Sequence, residues 1–318
     1  MGTHMSIPKD SFKRHSGRKS DHSNPTSHST IETLDTRETY DSRGSEKAYS
    51  SPLACFDPHR NGDSDRMSVQ HFGLKALFEG NILKNVNKYV DFDSPTRILD
   101  LGVGTGSWIM DVATENPNAT CIGIDKLPIF PQAIRPPNVT FQILDILDGL
   151  PYQDNYFDFV QLRLFGACLQ LTNWPIVLKE VYRVLRPGGC VQLLECLFEE
   201  ATDEFLTVYT NKLRVLMAAN DLDVHIAKQV GKLLADSGYT VIQEELKEID
   251  LRNPKAHLAK EFMYIIDESI NGCRPILYEI YGVATDKEFA VWKAEYLAAR
   301  RNSSFSRWYA AAGMKPIS

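Results

Sequence analysis

The stretch Arg97-Ile-Leu-Asp-Leu-Gly-Val-Gly-Thr-Gly-Ser-Trp108 constrains the fold of this chain more than any other. The apolar run from Ile98 to Leu101 predicts a buried strand, and the residues from Trp108 to Ala113 have a helical pattern. Alternating glycines between the two predict a tight turn, in which backbone N–H groups and a helix N-terminus point at one spot. Because glycine has no side chain to block the approach, the turn predicts a binding site for a polar or anionic ligand.

The composition predicts one globular domain behind a polar segment. Residues 6–60 are rich in Ser, Thr, His, Asp and Arg, so we expect residues 1–60 to be largely disordered, and the opening residues 1–5 resemble an expression-tag remnant. Residues 61–318 are predicted to form the domain. The chain has 318 residues, of which 43% are hydrophobic, and this supplies enough apolar surface for one large core.

Charge and cysteine content exclude several classes of protein. The net charge of −6 gives no support for nucleic-acid binding. No apolar stretch is long enough to span a bilayer, so no membrane partner is expected. The six cysteines form no C-x-x-C pair, which predicts no metal site and free thiols in a reducing compartment. We therefore expect a cytoplasmic protein, and the basic cluster at residues 13–19 makes a nuclear location the alternative.

Strand and helix patterns alternate along the chain from the glycine turn onward, which is typical of a doubly wound parallel α/β sheet. Further strands are predicted over 120–124, 139–143, 156–163, 190–194, 239–246 and 305–311, and helices over 174–185, 204–219, 224–236 and 256–299. Arg186-Pro-Gly-Gly189 is predicted to be a turn. A helical stripe also precedes the first strand, between residues 63 and 82.

The glycine spacing separates two classes of nucleotide ligand. A dinucleotide site requires Gly-x-Gly-x-x-Gly, but the third glycine here is Gly106, one residue early, and Ser107 stands where the pattern needs glycine. Asp100 also precedes the turn, where it would repel a diphosphate and could accept a hydrogen bond from an ammonium group. The glycine spacing and Asp100 together favour a zwitterionic ligand. A nicotinamide oxidoreductase is therefore the less favoured hypothesis.

Two further carboxylates follow the next strands. Asp125 ends the second strand, where a carboxylate can accept hydrogen bonds from both ribose hydroxyls. Asp145 ends the third, where it can accept from an adenine amino group while the N–H of Ile146 donates to the ring. Each aspartate alone could simply cap the turn that follows it. Three in register along one edge of the sheet predict a ligand site.

Together these segments resemble the motifs of class I S-adenosylmethionine-dependent methyltransferases. The resemblance rests on five segments: Leu99–Gly106, Gly123-Ile-Asp125, Asp145-Ile146, Phe157–Val160 and Leu185-Arg-Pro-Gly-Gly189. It implies a Rossmann-like three-layer sandwich with a seven-stranded, mostly parallel sheet and an antiparallel last strand. It also implies extra helices between strands six and seven, so that residues 61–90 and 256–299 would form a helical cap.

The resemblance assigns roles to individual residues. It implies that Asp100 and the turn Gly102, Gly104, Thr105 and Gly106 contact the methionine part of S-adenosylmethionine, that Asp125 binds the ribose, that Lys126 borders the pocket, and that Asp145 and Ile146 bind the adenine. Arg163 would reach the methionine carboxylate or the substrate, with a surface ion pair as the alternative. The product would be S-adenosylhomocysteine. No metal is implied.

A finer resemblance, to the fungal LaeA-like methyltransferases, rests on Asp65-Arg66, Gln70-His71, Trp174-Pro, Glu180 with Arg183, and the closing Gly-Met-Lys-Pro. That group includes small-molecule enzymes and nuclear regulators of secondary metabolism. It therefore leaves two functions open: methyl transfer to a small organic acceptor, or a regulatory role through protein partners, for which the N-terminal segment is the candidate contact.

The acceptor is less constrained by the sequence. After the fourth strand the chain lacks the Asn/Asp-Pro-Pro-Tyr run used for base or amide nitrogens, so we expect a small organic acceptor with an O or N nucleophile. If a general base is needed, His71 and Glu195 are the candidates. Seven aromatic residues near the C-terminus could wall an apolar acceptor pocket or form a helix core: Phe262, Tyr264, Tyr278, Tyr281, Trp292, Tyr296 and Trp308.

Overall fold

A seven-stranded sheet with the order β3-β2-β1-β4-β5-β7-β6 forms the centre of the protein in the computed structural model, which describes residues 63–198 and 203–317. The strands are β1 (Arg97–Leu101), β2 (Thr120–Asp125), β3 (Val139–Ile143), β4 (Phe157–Arg163), β5 (Leu185–Leu197), β6 (Thr240–Asp250) and β7 (Phe305–Met314). The expected N-terminal tail, its basic cluster and the proposed partner contact lie outside the described residues.

Helices cover both faces of this sheet. The α-helices are α1 (Asp63–Phe78), α2 (Ser107–Glu115), α3 (Trp174–Val184), α4 (Glu204–Ala219), α5 (Val230–Asp236), α6 (His257–Gly272), α7 (Arg274–Tyr281) and α8 (Asp286–Ser303). Short 3-10 helices cover Lys84–Lys88, Ile146–Asp148, Leu171–Asn173 and Ile226–Gln229. Every helix in the described part of the chain is too short or too polar to cross a membrane.

The sheet confirms the predicted fold class. β1 pairs in parallel with β2 and β4, and β4 pairs in parallel with β5. β7 runs antiparallel between β5 and β6. Helices α6, α7 and α8 lie in the chain between β6 and β7, as the family resemblance implied.

Two local predictions are wrong. The expected turn at residues 186–189 is the irregular beginning of β5, which starts at Leu185 and shifts its register against β4 before Cys190. Backbone hydrogen bonds between Gly188, Gly189 and Lys315 hold this segment in the sheet. The helix expected over 224–236 is divided into a 3-10 helix and α5.

Alternate residues of the central strands enter two different cores, because successive side chains point to opposite faces of a sheet. Ile98 of β1 packs with Trp108 and Phe262 on the face covered by α1, α2 and α6. Leu99 of the same strand packs with Trp174 and Val230 on the face covered by α3 and α5. A third cluster, around Trp292, joins α4, α7 and α8.

A row of polar residues crosses the first of these faces. Asp100, Gln161 and Gln192 lie opposite one another on β1, β4 and β5, and all three are buried. Gln192 accepts a hydrogen bond from the N–H of Leu83 at 2.7 Å and donates to the carbonyl of Asn81 at 3.1 Å. Gln192 therefore fixes the segment that follows α1 to the sheet.

Candidate functional site

The glycine turn between β1 and α2 is in a conformation that favours glycine at every second position. Gly102, Gly104 and Gly106 have φ values of +64°, +57° and +78°. A Cβ at Gly102 would lie 2.6 Å from Phe165 Cζ, and one at Gly104 would lie 2.6 Å from Met67 Cε. The left-handed backbone and the close neighbours both explain why the sequence places glycine here.

Asp100, at the end of β1, is a buried carboxylate that forms no hydrogen bond among the described residues; its exposed fraction is 3%. Burial raises its pKa to about 7, and the neighbouring Asp125 acts in the same direction, while the charge of Arg163 opposes both. A buried acid without a partner is satisfied best by a cationic group. Its chemistry therefore fits the ammonium group of a zwitterionic ligand.

Asp125, at the end of β2, is joined to the glycine turn. Its Oδ2 accepts from the N–H of Gly104 at 2.8 Å, and its Oδ1 accepts from the N–H of Leu127 at 3.0 Å. Burial raises its pKa. The turn-capping alternative is thus realised in part, but each carboxylate oxygen keeps a second lone pair for a ligand hydroxyl. Lys126 is exposed beside it at the rim.

Asp145 and Ile146 lie where β3 ends and a 3-10 helix begins. Asp145 Oδ1 accepts from the N–H of Leu147 at 3.0 Å, so this aspartate caps the helix. Ile146 is the first residue of that helix, and the first N–H groups of a helix have no partner within it. One acceptor and one donor therefore stand side by side, as recognition of an adenine edge requires.

All these groups open onto one cavity of about 870 Å³. Nine of the ten residues predicted to bind the cofactor line it: Asp100, Gly102, Gly104, Thr105, Asp125, Lys126, Asp145, Ile146 and Arg163. The exception is Gly106, whose N–H donates to the carbonyl of Val103 and which forms the N-cap of α2. The volume is within the usual range for ligand pockets.

Arg163 and His71 meet on the wall formed by β4 and α1. Nη1 of Arg163 lies 3.4 Å from Nδ1 of His71, and its guanidinium lies 5.8 Å from the centroid of the Trp108 ring. Burial lowers the pKa of Arg163 to about 10. Arg163 thus faces the cavity, and the structure does not place it in the surface ion pair considered from sequence. Trp108 itself is a core residue, 1% exposed.

His71 is held by a carboxylate on α2. Its Nε2 lies 3.0 Å from Oδ2 of Asp111, which also accepts hydrogen bonds from Lys75 and Asn81. Since Arg163 can only donate, this network assigns the proton to Nε2 and leaves Nδ1 as an acceptor. Burial lowers the pKa of His71 to about 4, with Arg163 acting in the same direction and Asp111 opposing. The imidazole is therefore neutral at pH 7.

Glu195, the other predicted base, is bonded to the loop after β4. Oε1 accepts from the N–H of Phe165 at 2.8 Å and Oε2 from the N–H of Gly166 at 3.0 Å. The residue is 2% exposed, and burial raises its pKa to about 7. This geometry positions the loop, which contains Leu164 at a φ of +64°. A catalytic role for Glu195 stays a prediction.

Of the seven aromatic residues near the C-terminus, some line the cavity and others belong to a helix core or lie on the surface. Phe262, Tyr296 and Trp308 line the cavity. Trp292 stacks on Tyr296 with ring centroids 5.2 Å apart and belongs to the third core cluster, together with the partly buried Tyr281. Tyr264 and Tyr278 are 39% and 63% exposed.

Several cavity residues were not anticipated from the sequence. Helix α4 contributes Leu206, Tyr209, Leu213 and Met217, and α1 contributes Arg66 and Met67. Arg300, in the last turn of α8, also lines the cavity. The periodicity of these helices shows which side is apolar, but it does not show that the apolar side faces a cavity.

Comparisons with known proteins agree with this architecture. Residues 98–189 match the family described as a methyltransferase domain. The chain is 28% identical over 179 residues to "Methyltransferase str3" of Strobilurus tenacellus, covering 54% of this chain and 61% of that protein. It is 33% identical over 162 residues to "Secondary metabolism regulator LAE1" of Cochliobolus heterostrophus, covering 50% of each. It is 29% identical over 203 residues to "N-methyltransferase gliN" of Aspergillus fumigatus, covering 61% and 70%.

A sheet with this strand order and a reversed last strand, in a chain that matches this family, defines a class I S-adenosylmethionine-dependent methyltransferase domain. The cofactor of the class is S-adenosylmethionine. Within the class the chain has LaeA-like fungal relatives, and both levels of the predicted resemblance are confirmed. The matched regions span less than two thirds of the length of the first two relatives named above.

Proposed function

We propose that this protein transfers the methyl group of S-adenosylmethionine to an oxygen or nitrogen of a small organic acceptor. The observation that carries the proposal is the continuity of the 870 Å³ cavity. The strand-end carboxylates lie along one part of it, and apolar side chains of α4, α6 and α7 line another part. One cavity thus has room for a nucleoside cofactor and for an acceptor beside it.

The residues present fit the cofactor at each point where it offers a polar group. Asp100, buried and without a hydrogen bond among the described residues, would accept from the methionine ammonium. Asp125 would accept from the ribose hydroxyls, and Asp145 with the N–H of Ile146 would bind the adenine edge. Arg163 would bind the methionine carboxylate, since a guanidinium pairs well with that group.

When bound, S-adenosylmethionine supplies a methyl group on a positively charged sulfur. It would be the methyl donor, with the sulfur keeping the bonding electron pair as a lone pair of the acceptor takes the methyl carbon. The cavity walls would hold the acceptor in line with the bond between the methyl carbon and the sulfur, and would exclude water. If the acceptor atom carries a proton, Nδ1 of the neutral His71 is the proposed recipient.

Calorimetry with S-adenosylhomocysteine and with NADH tests the cofactor assignment. We expect the first to bind and the second not to bind, with Asp100→Ala removing the binding while the circular dichroism spectrum is retained. Binding of NADH alone would contradict the proposal. The acceptor is then sought by incubating a fungal extract with the protein and methyl-labelled S-adenosylmethionine, followed by mass spectrometry.

The regulatory alternative differs from this proposal in its product. One relative is named a secondary metabolism regulator and others are named methyltransferases, so the names do not choose between the two. A labelled metabolite would support the small-molecule reading. Cofactor binding with label only in protein would support action on a protein partner.

A further inference from the structure

Three arginines line the cavity at the end formed by α8, β7 and the loop after β6. Arg252 pairs with Asp250 at 2.7 Å, and Arg307 pairs with Glu248 at 3.0 Å. Arg300 differs from both, because it forms no ion pair with a carboxylate of the described residues. Its hydrogen bond is a long one, from Nη2 to the carbonyl of Phe305 at 3.5 Å.

The Nε–H of Arg300 is buried and has no hydrogen-bond partner in the described structure. A buried donor without a partner costs free energy, and a buried charge without a counter-ion costs more. The two neighbouring hydroxyls do not relieve it: Ser304 donates to the backbone carbonyl of Arg300, and Ser306 accepts from the indole N–H of Trp308. Among the described residues, the Arg300 guanidinium therefore has no anionic partner at the cavity wall.

The acidic side chains that line the cavity do not supply the missing partner. Within the described residues they are Asp100, Asp125, Asp145, Glu195 and Asp223. The first three end strands β1 to β3, and Glu195 is bonded to the loop after β4. Asp223 accepts from the N–H of His225 and from the amide of Gln229.

The rest of this end of the cavity is mostly apolar. Its walls include Leu213, Met217, Phe262, Ile265, Ile266 and Ile276. An apolar chamber whose arginine lacks a carboxylate partner among the described residues recognises a particular chemistry. The walls favour a hydrocarbon body, and the arginine favours a planar anion that accepts two parallel hydrogen bonds.

We propose that Arg300 binds the carboxylate of the methyl acceptor, so that the acceptor is a small carboxylic acid with an aromatic or aliphatic body. This inference rests on the proposed function, because it takes the apolar chamber to be the acceptor site. The acid would be held at Arg300 by its carboxylate, and its reacting oxygen or nitrogen would project toward the glycine turn.

Matched pairs of an acid and its neutral amide test the inference. The probes are 3-(4-hydroxyphenyl)propanoate with its primary amide, and octanoate with octanamide, titrated calorimetrically into protein saturated with S-adenosylhomocysteine. We expect at least one acid to bind about tenfold or more tightly than its amide, as a charge-assisted bidentate contact requires. Arg300→Gln should remove this preference, and Arg300→Lys should restore part of it.

Arg301→Gln is the matched control, because Arg301 is the next residue of the same helix and is exposed outside the cavity lining. It should leave the acid-to-amide ratio unchanged. Equal binding of acid and amide by the native protein would overturn the inference, as would a preference that survives Arg300→Gln or the failure of both acids to bind. The acid-to-amide affinity ratio of the native protein tests the inference even if the Arg300→Gln variant does not fold.

The experiment separates this inference from the proposed function. If S-adenosylhomocysteine does not bind the native protein, the methyltransferase proposal fails. If it binds and neither acid is preferred, the cofactor assignment stands and the assignment of Arg300 alone is wrong.

Discussion

Gly104 and Asp125 connect two strands at the ligand edge of the sheet, through the hydrogen bond from the glycine N–H to Oδ2 at 2.8 Å. One belongs to the turn after β1 and the other ends β2. The carboxylate that we assign to the ribose thus also sets the position of the turn that we assign to the methionine part. Loss of Asp125 should consequently disturb both ends of the cofactor.

Asp125→Ala is expected to weaken binding of S-adenosylhomocysteine by about 100-fold or more, because two charge-assisted hydrogen bonds to the ribose are lost and the turn loses its partner. Titration calorimetry measures the loss. Asp236→Ala is the control, since Asp236 pairs with Lys232 on the surface and does not line the cavity. Equal affinity in Asp125→Ala and in the native protein would refute the ribose assignment.

Asp100 should make cofactor binding depend on pH. Its pKa is about 7 in the free protein, and an ammonium ligand favours the ionised form. Affinity for S-adenosylhomocysteine should therefore rise by up to about tenfold between pH 6 and pH 8. Asp125 and Glu195 also have raised pKa values, so Asp100→Asn identifies the group: it should bind more weakly and lose most of this slope. An unchanged slope in Asp100→Asn would exclude Asp100 as its source.

His71 should make the fold sensitive to mild acid. The ordinary pKa of a histidine is 6.5, and burial lowers the pKa of His71 to about 4 in the folded protein, so the unfolded chain binds more protons between these two pH values. The contribution of the neutral imidazole is complete above pH 6.5 and is lost as the pH falls toward 4, by about 2 kcal/mol at pH 5. His71→Asn should lose less stability than the native protein between pH 7 and pH 5, as measured by urea unfolding. Parallel losses would contradict the assigned burial.

Glu195 is expected to act as a positioning residue for the loop after β4. Glu195→Ala leaves the N–H groups of Phe165 and Gly166 without their acceptor, which should cost about 1–3 kcal/mol of unfolding free energy. Once an acceptor is known, a positioning role predicts a raised KM with kcat retained in part, and no loss of the pH dependence of kcat. If kcat loses its dependence on a group with a pKa near 7, Glu195 is instead the general base.

The sequence predicted the β1–α2 turn and the sheet well, because both depend on short-range patterns. Glycine at alternating positions, Asp100 before them and aspartates after β2 and β3 specify a parallel sheet edge without knowledge of distant contacts. The beginning of β5 was missed for a different reason. Arg186-Pro-Gly-Gly189 has the composition of a turn, but pairing with the segment at Lys315, far away in the chain, keeps it in the sheet.

The acceptor end could not be predicted from local patterns. Arg300 stands in the last turn of a helix, where a basic residue ordinarily complements the helix dipole, so its sequence position carries no sign of a cavity. Within the described residues, Arg252 and Arg307 have carboxylate partners on β6 and Arg300 has none. Such pairing is decided by tertiary structure.

The row formed by Asp100, Gln161 and Gln192 also protects the sheet against misalignment. If β5 slipped by one residue along β4, Gln192 would turn to the opposite face, among the apolar residues that pack on α3 and α5. The N–H of Leu83 would then lose its acceptor, and the carbonyl of Asn81 would keep only its bond from the indole N–H of Trp108. An incorrectly aligned sheet would thus carry an unfavourable polar burial on one side and unpaired backbone on the other. One row of side chains thus serves two purposes: Gln192 bonds the backbone after α1 and favours a single strand alignment, while Asp100 lines the ligand cavity.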